Sequence, residues 1–285
     1  MQQRIVYFNG RFLPKEQVHV SPDDRGFLFG DGVYEVLHAY SGRLFKAEEH
    51  FRRLGRSLSE LRIGGVEAES LHEVAGELLR CNGLEEGQAS LYVQVTRGVA
   101  PRKHAFPEPG TPPTVYLSAS PFRPAPEKWE QGVKVILVPD TRWARCDIKA
   151  VSLLPNVLAS QQAREQGAEE AIFVRDGVVT EGAHTNLLAV LDGRLLTHPL
   201  DHHILPGITR AVVLDLCQEL GIPAHELPIR QEELQAAEEL FIVGTTTEIA
   251  PVVQVEGWRV GDGRPGPITR ALQRAFREVV ASSGS

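Results

Sequence analysis

The sequence predicts a mixed α+β protein of two domains. Three observations carry that expectation. Short strand-like runs joined by tight turns dominate the first part of the chain, and helix-period stretches follow or separate such runs throughout. Between them lies a break at 121–132, "PFRPAPEKWEQG", with three prolines and almost no apolar periodicity. We read that break as a linker, with a first domain over 1–120 and a second over 133–285. A chain of 285 residues has room for both. Its composition, 42% hydrophobic and 24% charged, is globular and excludes a disordered or fibrous chain.

The elements follow in order. "RIVYF" and "RFLP" alternate on either side of Asn9-Gly10, a two-residue turn of positive-φ type, and so form a hairpin. "GVYEVLHAY" reads as a half-buried strand turned by Ser41-Gly42 onto "RLF". From Lys46 to about Leu61 the period becomes helical, with Phe51, Leu54, Leu58 and Leu61 on one face. A second helix is expected over 68–80, then strands in "SLYVQVTRG" and "TVYLSAS". Beyond the linker come the strand "VKVILV", a helix over 156–167, and the strands "EAIFV", "TNLLAV" and "RLLTH". A helix starts after "LPG" in "ITRAVVLDLCQEL", "ELFIV" is a buried strand, and a last helix runs from Pro267 to Ala281. "EELQAAEEL" reads as a solvated helix face.

Charge and cysteine usage narrow the function classes. The formal net charge of -7 and the lack of a basic stripe argue against nucleic acid or an anionic membrane as main partner. Cys81, Cys146 and Cys217 are far apart and form no CxxC pair, so neither a zinc ribbon nor a redox couple is expected. The start "MQQRIVYFNGRF" does not read as a signal peptide, and no apolar run has the length of a membrane span. A soluble, cytoplasmic protein is the expectation. His198, His202 and His203 lie in a loop and are not read as metal ligands. "GFLFGDG" lacks the lysine-serine end of a nucleotide loop, and Cys146 has no base identifiable beside it, so packing explains it better than nucleophilic attack.

One lysine stands out. From Cys146 to Ala163 the only charged residues are Asp147 and Lys149, and apolar or small side chains follow at once. A strand-end lysine can simply snorkel to water. A Schiff-base lysine needs surroundings that favour the uncharged amine, and an apolar flank supplies them. In "DGVVTEGAHTN", Glu181 sits between a β-run and a Gly-Ala pair. It is either a turn acid or the anion that a pyridine cofactor needs beside its ring nitrogen. "ILPGITRAVV" puts glycine before a helix, so the N–H groups of Ile208 and Thr209 are potential dianion donors. In "VGTTTEI" three hydroxyls follow a glycine and a buried strand. Arg53 in "HFRRLGRS" could add a bidentate charge to a phosphate, although Arg52 and Arg56 beside it show how such an arginine can be plain surface.

Taken in order, "RGFLFGDGVYEV", "EHFRRL", "CDIKAVSLLPNVLA", "VTEGAHTN", "LPGITR" and "TTTEI" resemble the class IV fold of pyridoxal-phosphate enzymes over nearly the whole chain. That family includes D-amino-acid aminotransferases, branched-chain aminotransferases and aminodeoxychorismate lyases. The resemblance implies a fold type IV architecture: a smaller N-terminal α/β domain and a larger C-terminal domain with a β-barrel-like core and helices. It also implies pyridoxal 5'-phosphate as cofactor, Lys149 as the catalytic, Schiff-base lysine, and Glu181 at the ring nitrogen. Arg53, Ile208, Thr209 and Thr245 are implied for the phosphate.

Within the family, "VTRGVAPRKHAF" looks like the Arg-x-His element with which D-amino-acid aminotransferases hold the substrate carboxylate. Arg102 and His104, with Tyr34 and Thr246, are then the substrate-binding residues. A guanidinium fork suits a carboxylate, and an imidazole and a phenol add directed hydrogen bonds. The resemblance implies a homodimer in which Arg102 and His104 reach the partner's site. The implied reaction is ping-pong transamination of D-alanine-type amino acids with a 2-oxo acid such as 2-oxoglutarate or pyruvate. Two departures stand out: Ala183 and His184 replace serines of D-specific members, and Gly244 replaces a hydroxyl residue, which leaves Thr245. The alternatives are a branched-chain L-amino-acid aminotransferase, aminodeoxychorismate lyase, and a cofactor-binding protein without turnover.

Overall fold

The computed structural model describes residues 4–282 and divides into two compact units. The first contains the chain up to Pro124 together with Ile148–Ser152, and the second contains Ala125–Asp147 and the chain from Leu153 onward. The segment carrying Lys149 therefore packs with the first unit, although sequence order puts it in the second domain. The reason is local. Ile148 and Ala150 are buried in the first unit's apolar core, and Ala150 makes an antiparallel bridge to Val33.

The first unit is built on an antiparallel six-stranded sheet. Its strands are β1 (Ile5–Phe8), β2 (Arg11–Pro14), β3 (Gly32–Tyr40), β4 (Arg43–Leu44), β5 (Gln88–Thr96) and β6 (Thr114–Pro121), in the spatial order β2-β1-β6-β5-β3-β4. Its helices are α1 (Arg25–Phe29), α2 (Ala47–Glu60) and α3 (Leu71–Cys81). The expected turns close as their residues dictate, with positive φ at Asn9 and Gly10 and at Ser41 and Gly42. Phe51, Leu54 and Leu58 of α2 and Leu78 and Leu79 of α3 form one core with Leu37, Leu91 and Leu117 of the sheet. The short helix α1 lies inside "RGFLFG". Asp24 caps it by accepting from the Gly26 N–H at 2.8 Å, and Gly30 ends it at φ +65°.

The second unit contains a ten-stranded mixed sheet that curls into a half-barrel. In chain order it comprises α4 (Pro126–Gln131), β7 (Val133–Pro139), α5 (Leu154–Glu165), β8 (Glu170–Arg175), β9 (Val178–Gly182), β10 (Asn186–Leu191) and β11 (Arg194–Thr197). Then come α6 (Ile208–Glu219), β12 (Ala224–Glu226), β13 (Ile229–Arg230), β14 (Glu239–Gly244), β15 (Glu248–Val255), β16 (Trp258–Arg259) and α7 (Pro267–Ser282). The proline-rich break is thus partly helical, since Pro126 begins α4 at a position where its missing N–H costs nothing. β7 and β8 pair in parallel through the crossover helix α5, which buries Ala159 and Ala163 against Ile136, Val138 and Phe173. The acidic stretch after β13 forms a 3₁₀ turn, Gln231–Ala236, with Leu234 buried, where a regular helix face is expected. Among the described residues, no helix is long and apolar enough to cross a membrane.

Candidate active site

In the first unit, Lys149 is half-buried and its backbone is fixed on both sides. Its carbonyl accepts from the Tyr34 N–H at 3.0 Å, and its own N–H donates to Ser57 Oγ at 3.3 Å. Its ammonium nitrogen stands 4.4 Å from the centre of the Tyr34 ring. β3 thus brings a catalytic candidate and a substrate-binding candidate together. Tyr92, opposite Val36 on β5, adds a second ring 5.9 Å from Tyr34 and donates its hydroxyl to Gln94 Oε1 at 2.6 Å. Burial and the neighbouring phenols push the Tyr92 hydroxyl up to about 12.

Arg53 is buried while Arg52 and Arg56, its neighbours in sequence, are exposed. Its fork does not point idly to solvent. Nε donates to Glu35 Oε1 at 2.7 Å and Nη2 to Glu35 Oε2 at 2.9 Å, a bidentate pair. His50 places Nδ1 at 2.8 Å from Glu35 Oε2. Burial opposes the charge of Glu35, but the charge and hydrogen bonds of Arg53 and the His50 donor outweigh it and hold the carboxyl far below its usual range. Burial lowers His50, as do the charges of Arg53 and Lys149, so its ring is neutral near pH 7 and donates through Nδ1. Glu35 and His50 escape a reading of motifs alone. The signal for them is a carboxylate at a core-facing position of β3, matched by His50 and Arg53 on the apolar face of α2.

Arg102 and His104 lie exposed on the loop after β5. Among the described residues, neither hydrogen-bonds to Tyr34 or Lys149 of its own chain. Their neighbours are in α1: the Phe29 ring lies 5.3 Å from Arg102 Cζ and 5.5 Å from the His104 ring.

In the second unit, Glu181, next to the last residue of β9, is almost fully buried, and Arg142, Asn186 and the Leu205 N–H converge on it. Arg142 Nη1 donates to Oε1 at 2.5 Å, while Asn186 Nδ2 and the Leu205 N–H both donate to Oε2 at 3.0 Å. Arg142 is itself clamped by Asp140, which accepts from its Nε and Nη2 at 2.9 Å, and lies over the Phe173 ring at 4.2 Å. Burial works against the charge on Arg142, yet the two carboxylates raise its affinity for the proton further. Arg142 is absent from the sequence reading because it lies 39 residues from Glu181 and no local pattern links the two. Asn186, only five residues after Glu181, escapes it as one polar residue at the start of an apolar strand.

Asn186 also ties Glu181 to the α6 N-terminus. Its Nδ2 donates to the Leu205 carbonyl at 3.1 Å, and a Cβ on Gly207 would stand 2.0 Å from its Oδ1, so only glycine fits there. Gly207 is the N-cap of α6 and has no side chain with which to cap it, which leaves the first-turn N–H groups, those of Ile208 and Thr209 among them, facing outward from a positive helix end. Asn186 pairs with Val243 of β14, whose strand leads through Gly244 to the turn carrying Thr245 and Thr246. Glu181, Asn186, the helix end and the threonine turn are thus linked by the β10–β14 pairing. His184 is exposed and turns Nδ1 toward buried Glu170 at 2.9 Å. Cys146 is buried and donates to the Trp143 carbonyl at 3.2 Å, and burial pushes its thiol up to about 11.

The chain matches the family model for amino-transferase class IV over residues 32–255. It is 43% identical to D-alanine aminotransferase of Staphylococcus haemolyticus over 281 residues, 98% of this chain and 99% of the relative. It is 42% identical to D-alanine aminotransferase of Bacillus licheniformis, covering 97% of each. Among solved structures, the branched-chain amino acid aminotransferase of Escherichia coli is similar at a TM-score of 0.90 and 30% identity, over 97% of this chain and 94% of that one. The branched-chain aminotransferase of Thermoproteus uzoniensis, solved with norvaline, is similar at 0.87 and 31%, over 98% and 95%.

Enzymes of this class depend on pyridoxal phosphate. The residues of each unit suit that group. The first offers a half-buried amine and a buried guanidinium, and the second a buried carboxylate held by hydrogen-bond donors and a helix N-terminus whose cap residue is a glycine beside Asn186. By family and by chemistry, the chain belongs to the class IV aminotransferases and is a pyridoxal-phosphate-dependent enzyme.

Proposed function

We propose that the enzyme moves the amino group of D-alanine and related D-amino acids to a 2-oxo acid such as 2-oxoglutarate or pyruvate. The observation that carries this reading is the Tyr34–Lys149 pairing, which holds a phenol for the substrate beside the amine that acts on it. The D-alanine aminotransferases similar over almost the whole chain support the choice of substrate. Bound pyridoxal phosphate supplies an aldehyde and a cationic ring that draws electrons from the substrate Cα. Lys149 attaches it and moves the proton at Cα. Glu181 keeps the proton on the ring nitrogen. Arg53 meets the phosphate, joined by the N–H groups of Ile208 and Thr209 and by Thr245. Tyr34, Arg102, His104 and Thr246 hold the substrate.

Arg102 and His104 serve the site of a second copy in a homodimer. Their exposure and their lack of a hydrogen bond to Tyr34 of their own chain support this. So do Leu154, Val157 and Leu158 of α5, which leave apolar side chains exposed at i, i+3 and i+4. The similarity to branched-chain aminotransferases favours a second reading, transfer from L-leucine-type amino acids. Cofactor absorbance followed after D-alanine and after L-leucine separates the two, together with conversion of D-alanine and 2-oxoglutarate to pyruvate and glutamate. We expect D-alanine to bleach the visible band and L-leucine to leave it. The opposite pattern rejects the D-specific reading.

A further inference from the structure

The loop bearing Arg102 and His104 has no regular structure, yet α1 fastens it. Arg25, only 3% exposed, donates Nη1 to the Lys103 carbonyl at 2.6 Å, with longer contacts of 3.4 Å to the carbonyls of His104 and Ala105. Its Nε donates to Asp31 Oδ2 at 2.8 Å. Asp31 also accepts from Arg97 Nε at 2.8 Å and Nη2 at 2.9 Å, and Arg97 in turn grips the Leu61 and Arg62 carbonyls. The Phe29 ring is the common neighbour of three cationic or imidazole groups: Arg25 at 4.8 Å, Arg102 at 5.3 Å and His104 at 5.5 Å. Arg25, Phe29, Asp31, Arg97, His104 and Phe106 also line a cavity of about 440 Å³. Phe106 of the same loop packs on the Arg97 guanidinium at 3.8 Å, so the ion network and the Phe29 and Phe106 rings together hold the loop.

We propose that Arg25 and Phe29 are positioning residues for the substrate carboxylate. Arg25 fixes the backbone of residues 103–105, and Phe29 gives the Arg102 guanidinium and the His104 imidazole a face to rest on. An exposed arginine loses rotamer freedom when it grips a ligand, and a side chain already resting on a ring loses less. The α1 turn thereby sets how tightly the loop grips a carboxylate. This inference rests on the reading of Arg102 and His104 as carboxylate ligands.

A double-mutant cycle on the holoenzyme tests it, with Phe29→Leu, Arg102→Ala and their combination assayed on D-alanine and 2-oxoglutarate. Phe29→Leu should raise KM for both substrates by about 3–10-fold while kcat stays within about twofold, because cation–π support is a binding term. Cofactor absorbance and thermal midpoint should stay unchanged, Phe29→Tyr should restore KM, and the Phe29→Leu effect should vanish in the Arg102→Ala background. Arg25→Lys keeps the charge but loses the fork, and should raise KM on the order of 10-fold without moving the cofactor band. If Phe29→Leu raises KM equally in both backgrounds, or leaves it unchanged while Arg102→Ala raises it, the positioning role is overturned and the carboxylate reading stands. An unchanged KM in Arg102→Ala itself overturns the carboxylate reading, and the positioning role goes with it.

Discussion

Each unit contains a buried carboxylate that grips a guanidinium, and the two pairs end differently. In the first unit Glu35, wholly buried, holds Arg53, and Arg53 is itself a candidate ligand. In the second unit Asp140 holds Arg142, and Arg142 then holds Glu181, the candidate for the ring nitrogen. One chain has two links and presents a cation; the other has three and presents an anion. Burying a charge without a partner costs several kcal/mol, so Glu35 offsets the burial of Arg53 and Asp140 that of Arg142. The difference separates an acid that supports a candidate ligand from one that is itself a candidate. Both acids have both oxygens engaged, Glu35 by Arg53 and His50 and Glu181 by Arg142, Asn186 and the Leu205 N–H, but Glu35 is the innermost link of its series and Glu181 the outermost.

Substitution at the two acids should therefore give opposite results. Glu181→Gln should lower the transamination rate by about 10²–10³-fold, the scale of losing one preorganised electrostatic partner, with the fold intact. Steady-state rates beside a thermal melt check this, and an unchanged rate would erase the contrast with Glu35. Glu35→Gln should instead act on stability, costing about 3–5 kcal/mol because it leaves the Arg53 charge buried without its partner.

The same support should appear as acid sensitivity. The Glu35 carboxyl is held far below its ordinary 4.5, so its contribution is complete above that pH and is lost progressively as pH falls below it toward the depressed folded value. Asp31 and Asp140, also depressed by their arginines against the effect of burial, add to this limb. His50, lowered from 6.5 mainly by burial, starts the decline earlier, since the unfolded chain takes up a proton there first. Melting points measured from about pH 7 to pH 3 should fall throughout, and Glu35→Gln should flatten the part below about 4.5. A variant as acid-sensitive as the parent would assign that limb to other groups. The smallest expected effect is at Gly244, where an added Cβ meets only ordinary contacts at 3.5 Å. Gly244→Ser should fit and tighten pyridoxal phosphate binding by about 2–10-fold, one added hydrogen bond. Fluorescence titration of the apoenzyme reads it directly, and an unaltered Kd would remove this turn from the phosphate's surroundings.

Much of the framework is legible in the sequence because its signals are local. Asn9-Gly10 and Ser41-Gly42 demand positive φ, and the spacing of Phe51, Leu54 and Leu58 marks one face of α2. Short elements are harder. With five residues, α1 has no period to detect, and its Asp24 cap stands among glycines that suggest only loop. β15 follows a turn of three threonines and contains a proline, both of which speak against a strand, yet its pairing with β14 and β7 overrides them. At the site, Lys149, Glu181 and the glycine before α6 stand out because each breaks the pattern around it. The groups that hold them do not. Arg142 reaches Glu181 across 39 residues, and Arg25 reaches the Lys103 carbonyl across 78. Only Glu35 with His50 and Arg53 carries a readable signal, three polar residues on faces otherwise given to the core.

The five residues Ile148–Ser152 have a consequence for how such a protein can be divided or recombined. A fragment ending at Pro124 would lack two side chains of its own interior, Ile148 and Ala150, and would expose the apolar surface they cover. Exchanging front halves between related genes at the proline-rich junction therefore leaves a foreign plug in the new body, and the plug bears Lys149. Successful chimeras should be those whose plug matches the receiving core.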